Sequence, residues 1–144
     1  MEFKNANEAY EYFYNKIPLE GIKFDNTKAL FNVGFTLNNP MDNLITNKYR
    51  KFNLEYAKAE WKWYLSGDRK IDKLGEIYGK IPVIWKKMAN SNFEVNSNYG
   101  YQWKRNNQLD KVVAILKDNP STRRAAISIY DGKEINDYNK DTPC

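Results

Sequence analysis

Several stretches of this 144-residue chain hold side chains able to do chemistry. Glu60 follows Ala59 at the edge of an apolar helical stripe, so its carboxylate is expected to be at least half-buried. A carboxylate so placed serves as a general acid/base tuned by its surroundings, or as a helix-boundary glutamate paired with a lysine. Arg123 and Arg124 open a predicted strand. Two guanidinium forks suit bidentate contact with phosphate oxygens, and a solvated basic pair is the plainer alternative. Neighbouring strand residues face opposite ways, so one strand would not aim both at one ligand. Tyr99-Gly100-Tyr101-Gln102-Trp103 gathers aromatics and an amide around a glycine, which makes either a wall for a flat ring or a core turn. Trp85, with Met88 close by, reads as core. Cys144, behind Pro143, is the only cysteine. A lone cysteine is usually a small buried hydrophobe, whereas a reactive one needs a cationic neighbour to stabilise its thiolate. The arginine pair is the candidate source of that field.

Composition narrows the classes. Hydrophobic residues make up 42% and aromatics 15%, enough for a packed core and unlike a disordered chain. The length suits one domain, over 1–144. The net charge of +5 allows an anionic partner such as a nucleotide. The chain has no histidine, which excludes His-based triads and the commonest zinc ligand, and no metal site is expected. A single cysteine cannot form an internal disulfide, and the polar start "MEFKNANEAYEYFYNK" is not a signal peptide. No apolar run approaches the roughly 20 residues that span a bilayer, so a cytoplasmic protein without a membrane partner is expected. Neither a Walker-type phosphate loop nor a DNA-recognition helix is present, and no DNA partner is expected.

The elements that must position these residues emerge from periodicity. A helix is predicted over 5–16, capped by Asn5 or Asn7 and ended by Pro18 and Gly21. "KALFNVGFTL" (28–37) reads as a strand. The clearest helix spans 47–67, with Tyr49, Phe52, Tyr56, Ala59 and Trp63 on one stripe, Gly67 as its stop and Asp68 capping the next helix. That shorter helix runs through Ile71, Leu74 and Tyr78, and another turn or two comes after Pro82. Residues 96–103 read as a turn leading into strand or loop. Residues 106–120 read as a helix with Leu109, Val112, Val113 and Leu116 inward. "RRAAISIY" (123–130) alternates as a strand does, and the tail from Asp131 is loop-like. Helix and strand mix without regular βαβ alternation, which predicts an α+β fold.

Taken in order, "EWKWYLSGD" (60–68), "IW" (84–85), "NYGYQW" (98–103), "NPSTRR" (119–124) and "PC" (143–144) resemble the thymidylate synthase family, which includes the deoxypyrimidine-nucleotide hydroxymethylases. The likeness runs from about residue 28 to the end. It implies a thymidylate synthase-like mixed sheet with helices. It also implies one-carbon transfer from methylene-tetrahydrofolate to C5 of a deoxypyrimidine monophosphate. In that resemblance Cys144 matches the nucleophile, Glu60 the glutamate that moves protons around the base, and Tyr99 a tyrosine that orders the proton-transfer water. Trp85 matches a tryptophan near the folate. Arg123 and Arg124 match the pair that reaches across a homodimer to the partner's nucleotide phosphate. Two departures stand out. "KFDNTKALFNVG" (23–34) lacks the arginine of the synthase phosphate loop, and Met88 replaces a second folate-site tryptophan. Met88, "VNSNYG" (95–100) and "DYNKD" (137–141) resemble the hydroxymethylase branch, whereas "TPC" (142–144) is closer to the synthases. The family chain continues well past its nucleophile. The expectation is therefore an N-terminal part, inactive alone and completed by a missing C-terminal part. The competing expectation is a non-catalytic nucleotide-binding or dimer-capping module, or the remnant of a split gene.

Overall fold

The computed structural model describes residues 1–130 and Asp141. Its contacts gather into two compact units, Met1–Asn53 and Leu54–Cys144.

In the first unit, β1 (Glu2–Phe3) leads into helix α1 (Ala6–Glu20). The Asn5 side chain accepts from the Glu8 amide at 3.0 Å and so starts the helix, as the sequence predicts. The helix outruns its predicted end. It carries Pro18 inside its last turn and closes where the Gly21 amide donates to the Ile17 carbonyl. The predicted strand over 28–37 is instead broken. β2 (Ile22–Phe24) and β3 (Thr27–Ala29) form an antiparallel hairpin over an Asp25–Asn26 turn, and β4 (Thr36–Leu37) pairs parallel with β1. Asn32 has a φ of 55°, which interrupts an extended run at the middle of the apolar stretch. Phe3, 6% exposed, packs edge-on to Phe13 and Phe35 and forms the centre of this unit.

The predicted helix over 47–67 also divides. Helix α2 covers only Leu54–Ser66. Upstream, the Asn7 side chain accepts from the Thr46 and Asn47 amides, and Asn47 accepts from the Tyr49 amide. These side chains take the amides that a helix would use. Lys51, with a φ of 49°, completes the break. Tyr49 and Phe52 therefore leave the stripe, and Tyr49 stacks on Tyr14 instead, with ring centroids 5.0 Å apart.

The second unit is built on α2, α3 (Ile71–Tyr78), α4 (Val83–Met88), α5 (Tyr99–Lys104) and α6 (Gln108–Asp118). Gly67 takes a left-handed φ of 70° after α2, the stop its sequence position predicts. Asp68 accepts from the Lys70 amide at the entry to α3. The core holds Ala59, Trp63, Ile71, Leu74, Trp85 and Val95. Trp63 is fully buried, and its indole N–H donates to the Lys70 carbonyl at 3.1 Å.

Residues 96–103 contain a helix rather than strand or loop. The fully buried Asn98 caps α5 by accepting from the Tyr101 amide, and its Nδ2 donates to the Asp68 carbonyl. Helix α6 starts two residues later than predicted, because Asn106 and Asn107 both adopt left-handed backbone. None of its residues is buried: Leu109 and Val112 are half-buried, while Val113 and Leu116 are exposed. The segment 124–130 alternates exposed and half-buried residues as a strand would, yet it joins no sheet among the described residues. Its backbone is held by side chains. The Gln108 amide accepts from Ser128 N–H at 2.8 Å and donates to the Ser128 carbonyl at 3.1 Å. Arg105 donates to the carbonyls of Ser128 and Tyr130.

Helices and small sheets together bear out the α+β expectation at the level of class. Among the described residues, no helix is long and apolar enough to cross a membrane.

Candidate active site around Glu60

Glu60 sits half-buried near the middle of α2, at the margin of its apolar face. Tyr56 and Tyr64 stand four residues before and after it, which puts all three on one side of the helix. The Tyr56 hydroxyl donates to Glu60 Oε1 at 2.5 Å. The same hydroxyl accepts from Trp85 Nε1 at 2.7 Å. One tyrosine thus links the carboxylate on α2 to the indole on α4. A lysine partner for Glu60, one of the two roles open to it from the sequence, is absent among the described residues; tyrosine takes that place.

Trp85 is 8% exposed and lies edge-on to Trp63, with ring centroids 5.1 Å apart. It is a core residue by burial, as its apolar context predicts, but its polar atom points into the site. On the same short helix, Ile84 and Met88 are exposed and leave apolar surface beside the buried indole.

Tyr99 reaches the site through Tyr64, whose ring meets it edge-on at 5.8 Å. Helix α5 comes this close because Gly100 faces the α2 backbone. A Cβ on Gly100 would lie 1.5 Å from the Tyr64 carbonyl oxygen. Asp141 adds a further charge. Its Oδ2 accepts from Ser97 N–H at 2.8 Å and from Ser97 Oγ at 2.9 Å, just before the Asn98 cap.

Arg123 and Arg124 are both exposed and make no ion pair among the described residues. Arg123 lies in a bend before the extended run, so strand alternation does not separate the two. The hydrogen bonds of Glu60 run to Tyr56 and not to this pair. Cys144 lies outside the described residues. The structure therefore brings together Glu60, Trp85 and Tyr99, and does so through Tyr56 and Tyr64. Helical periodicity places Tyr56 only on the buried stripe and does not single out Tyr64. Their spacing of four on either side of Glu60 is the signal in the sequence that could have found them.

Burial, together with the weaker effect of the hydrogen bond to Glu60, keeps the Tyr56 hydroxyl protonated well above the ordinary tyrosine range, and the Trp85 hydrogen bond opposes this. Tyr64 is raised likewise, first by burial and then by the charges of Glu60, Tyr56, Tyr99 and Asp141. A pKa higher in the folded than in the unfolded chain gives stability that is complete below about pH 10 and is lost as pH rises beyond it. The melting temperature is expected to fall between about pH 10 and pH 12. The Tyr56→Phe/Tyr64→Phe double variant should fall less over that interval. An equal fall in both proteins, measured by circular dichroism, would remove these tyrosines as the cause.

The profile of the thymidylate synthase family matches residues 20–144. The chain belongs to the thymidylate synthase family. Among the curated relatives of this family, the chain is 41% identical over 93 residues to the deoxycytidylate 5-hydroxymethyltransferase of Enterobacteria phage T4, covering 62% of this chain and 36% of the phage protein. The phage T2 protein of the same name gives the same figures. Thymidylate synthase of Coxiella burnetii (strain Dugway 5J108-111) is 29% identical over 100 residues, covering 64% of this chain and 36% of that protein. The chain thus spans little more than a third of the length of these thymidylate synthase-family relatives. The family match takes in Glu60, Trp85, Tyr99, Arg123, Arg124 and Cys144, while β1 and nearly all of α1 precede it.

Proposed function

We propose that this chain supplies part of the active site of a deoxypyrimidine-nucleotide transferase with a thymidylate synthase-like mixed sheet. It would move a one-carbon unit from methylene-tetrahydrofolate to C5 of deoxycytidylate. The observation that carries this reading is the family match over 20–144, which takes in every residue assigned a role here. The higher identity to the phage hydroxymethyltransferases favours deoxycytidylate and hydroxymethylation, and the thymidylate synthase match keeps deoxyuridylate methylation as the second reading.

Each role rests on ordinary chemistry. The Cys144 thiolate adds to C6 of the pyrimidine, and the electron pair of the C5–C6 double bond moves to C5, which becomes nucleophilic. After C5 has bonded to the one-carbon unit, a base removes the C5 proton as the carbon–nitrogen bond to the folate breaks; water would then add to that carbon as the thiolate leaves C6. Glu60 moves protons at the base, with Tyr99 ordering the water between them. Arg123 and Arg124 grip the nucleotide phosphate, each in the partner's site of a homodimer. The surroundings of Trp85 fit a folate: Ile84 and Met88 of the same short helix are exposed and provide apolar surface for a flat ring. When bound, methylene-tetrahydrofolate supplies the one-carbon unit.

The 36% coverage of the relatives supports a further proposal, that residues 1–144 alone turn over nothing and act when completed by a C-terminal part. The test is tritium release from 5-tritiated deoxycytidylate in the presence of methylene-tetrahydrofolate. It would use residues 1–144 joined at Cys144 to the segment beyond the corresponding position in the phage T4 enzyme. Release is expected from the joined protein, none from its Cys144→Ala variant, and none from 1–144 alone. A joined, folded protein that releases no tritium from either deoxycytidylate or deoxyuridylate would sink the reading. Release by 1–144 alone would sink the requirement for completion.

A further inference from the structure

We propose that Tyr56 is a positioning residue that fixes Glu60 and couples its protonation to the Trp85 indole. The role rests on the acid/base reading of Glu60 given above. Three observations carry it. The Tyr56 hydroxyl has one proton, and it is directed at Glu60 Oε1. The same oxygen accepts from Trp85 Nε1–H, and the two bonds together leave the hydroxyl little freedom to rotate. The phenol ring is braced edge-on by Tyr78 of α3, with ring centroids 5.2 Å apart. The hydroxyl is thus set by three helices at once, and the carboxylate takes its orientation from it.

Among the described residues the arrangement engages one carboxylate oxygen, and the other would serve a substrate-bound water. A phenylalanine would keep the ring and its packing but release both the carboxylate and the indole N–H. An apolar core would be as well served by phenylalanine, because a buried hydroxyl contributes only through its partners. Tyr78 on α3 acts on Tyr56, and Tyr64 on α2 is influenced by Glu60, Tyr56, Tyr99 on α5 and Asp141. Asp141 is a second carboxylate there, so the Glu60→Gln variant is what assigns the signal to Glu60.

The experiment is a pH titration of the tryptophan indole N–H resonances of the 144-residue chain through the carboxylate range. The Trp85 resonance is expected to shift with a single midpoint. It should be flat in Glu60→Gln and flat in Tyr56→Phe. The Trp63 indole, bonded to the Lys70 carbonyl, serves as the folding control and should hold its position in all three proteins. Trp85 hydrogen exchange should also speed up in Tyr56→Phe, while that of Trp63 stays unchanged. A Trp85 resonance that does not titrate in the unaltered chain, or that still titrates in Tyr56→Phe, overturns the proposal. If Tyr56→Phe does not fold, the Tyr56 ring carbon beside the hydroxyl gives the second reading. It must titrate with the Trp85 midpoint in the unaltered chain and become flat in Glu60→Gln; a Tyr56 signal independent of Glu60 overturns the coupling. None of these readouts uses nucleotide or folate. Failure of the coupling is therefore distinct from failure of tritium release.

Discussion

Gly100→Ala is expected to destabilise the second unit by about 3 kcal/mol or more, the upper end for overpacking a packed interior. The added methyl would meet the Tyr64 carbonyl oxygen at 1.5 Å and the Tyr64 carbonyl carbon at 2.3 Å. Both are backbone atoms of α2, so no rotamer change relieves the clash and α5 must move away as a whole. The move would carry Tyr99 off Tyr64 and separate it from Glu60. Urea unfolding monitored by tryptophan fluorescence reads this unit alone, because Trp61, Trp63, Trp85 and Trp103 all lie in it. Gly34→Ala, in the first unit, is the open-space control: nothing lies within 4 Å of its added methyl, and the fluorescence midpoint is expected to stay at that of the parent. A Gly100→Ala midpoint equal to that of the control would mean that α5 does not pack on α2 as described.

In the completed enzyme, Glu60→Gln is expected to slow turnover about 100- to 10,000-fold, the range for losing a general acid/base. The amide oxygen still accepts from Tyr56, so the melting temperature should stay near that of the parent. The variant removes the exchangeable proton and the charge while keeping the hydrogen bond that orients the side chain. The slowing should appear in kcat, with the KM for nucleotide nearly unchanged, since the arginine pair rather than Glu60 is assigned the phosphate. A loss below tenfold would demote Glu60 to the helix-boundary role.

Much of the second unit is legible in the sequence because its signals are local. The stripe Tyr56, Ala59, Trp63 and the pair Ile71, Leu74 keep helical spacing, and the structure half-buries Tyr56 and buries the other four. The illegible parts depend on side chains capturing backbone. Asn7 and Asn47 end the apparent continuation of α2 upstream, and no periodicity reveals that. Asn98 converts 99–104 into helix through a cap whose partner, Asp68, lies 30 residues earlier in the chain. In the candidate site, Glu60 stands out by its position beside the stripe. Tyr56 reads only as stripe, because periodicity reports which way a side chain points and says nothing of where its hydroxyl bonds. The roles of Arg123 and Arg124 rest on residue type and resemblance, and their exposure agrees with a role facing outward.

The Gln108 clamp on Ser128 has a consequence for how the segment 124–130 keeps its place. Strand identity repeats every two residues, so a slip by one would turn Ala125, Ile127 and Ile129 outward and bring Ser128 and Tyr130 inward. In a sheet that slip is resisted by many rungs spread along a neighbour. Here much of the resistance sits in one amide, whose donor and acceptor fit the carbonyl and N–H of a single residue. A carboxylate at position 108 could accept but not donate, and would lose half of the grip. The in–out phase of seven residues is in this way pinned largely by one glutamine.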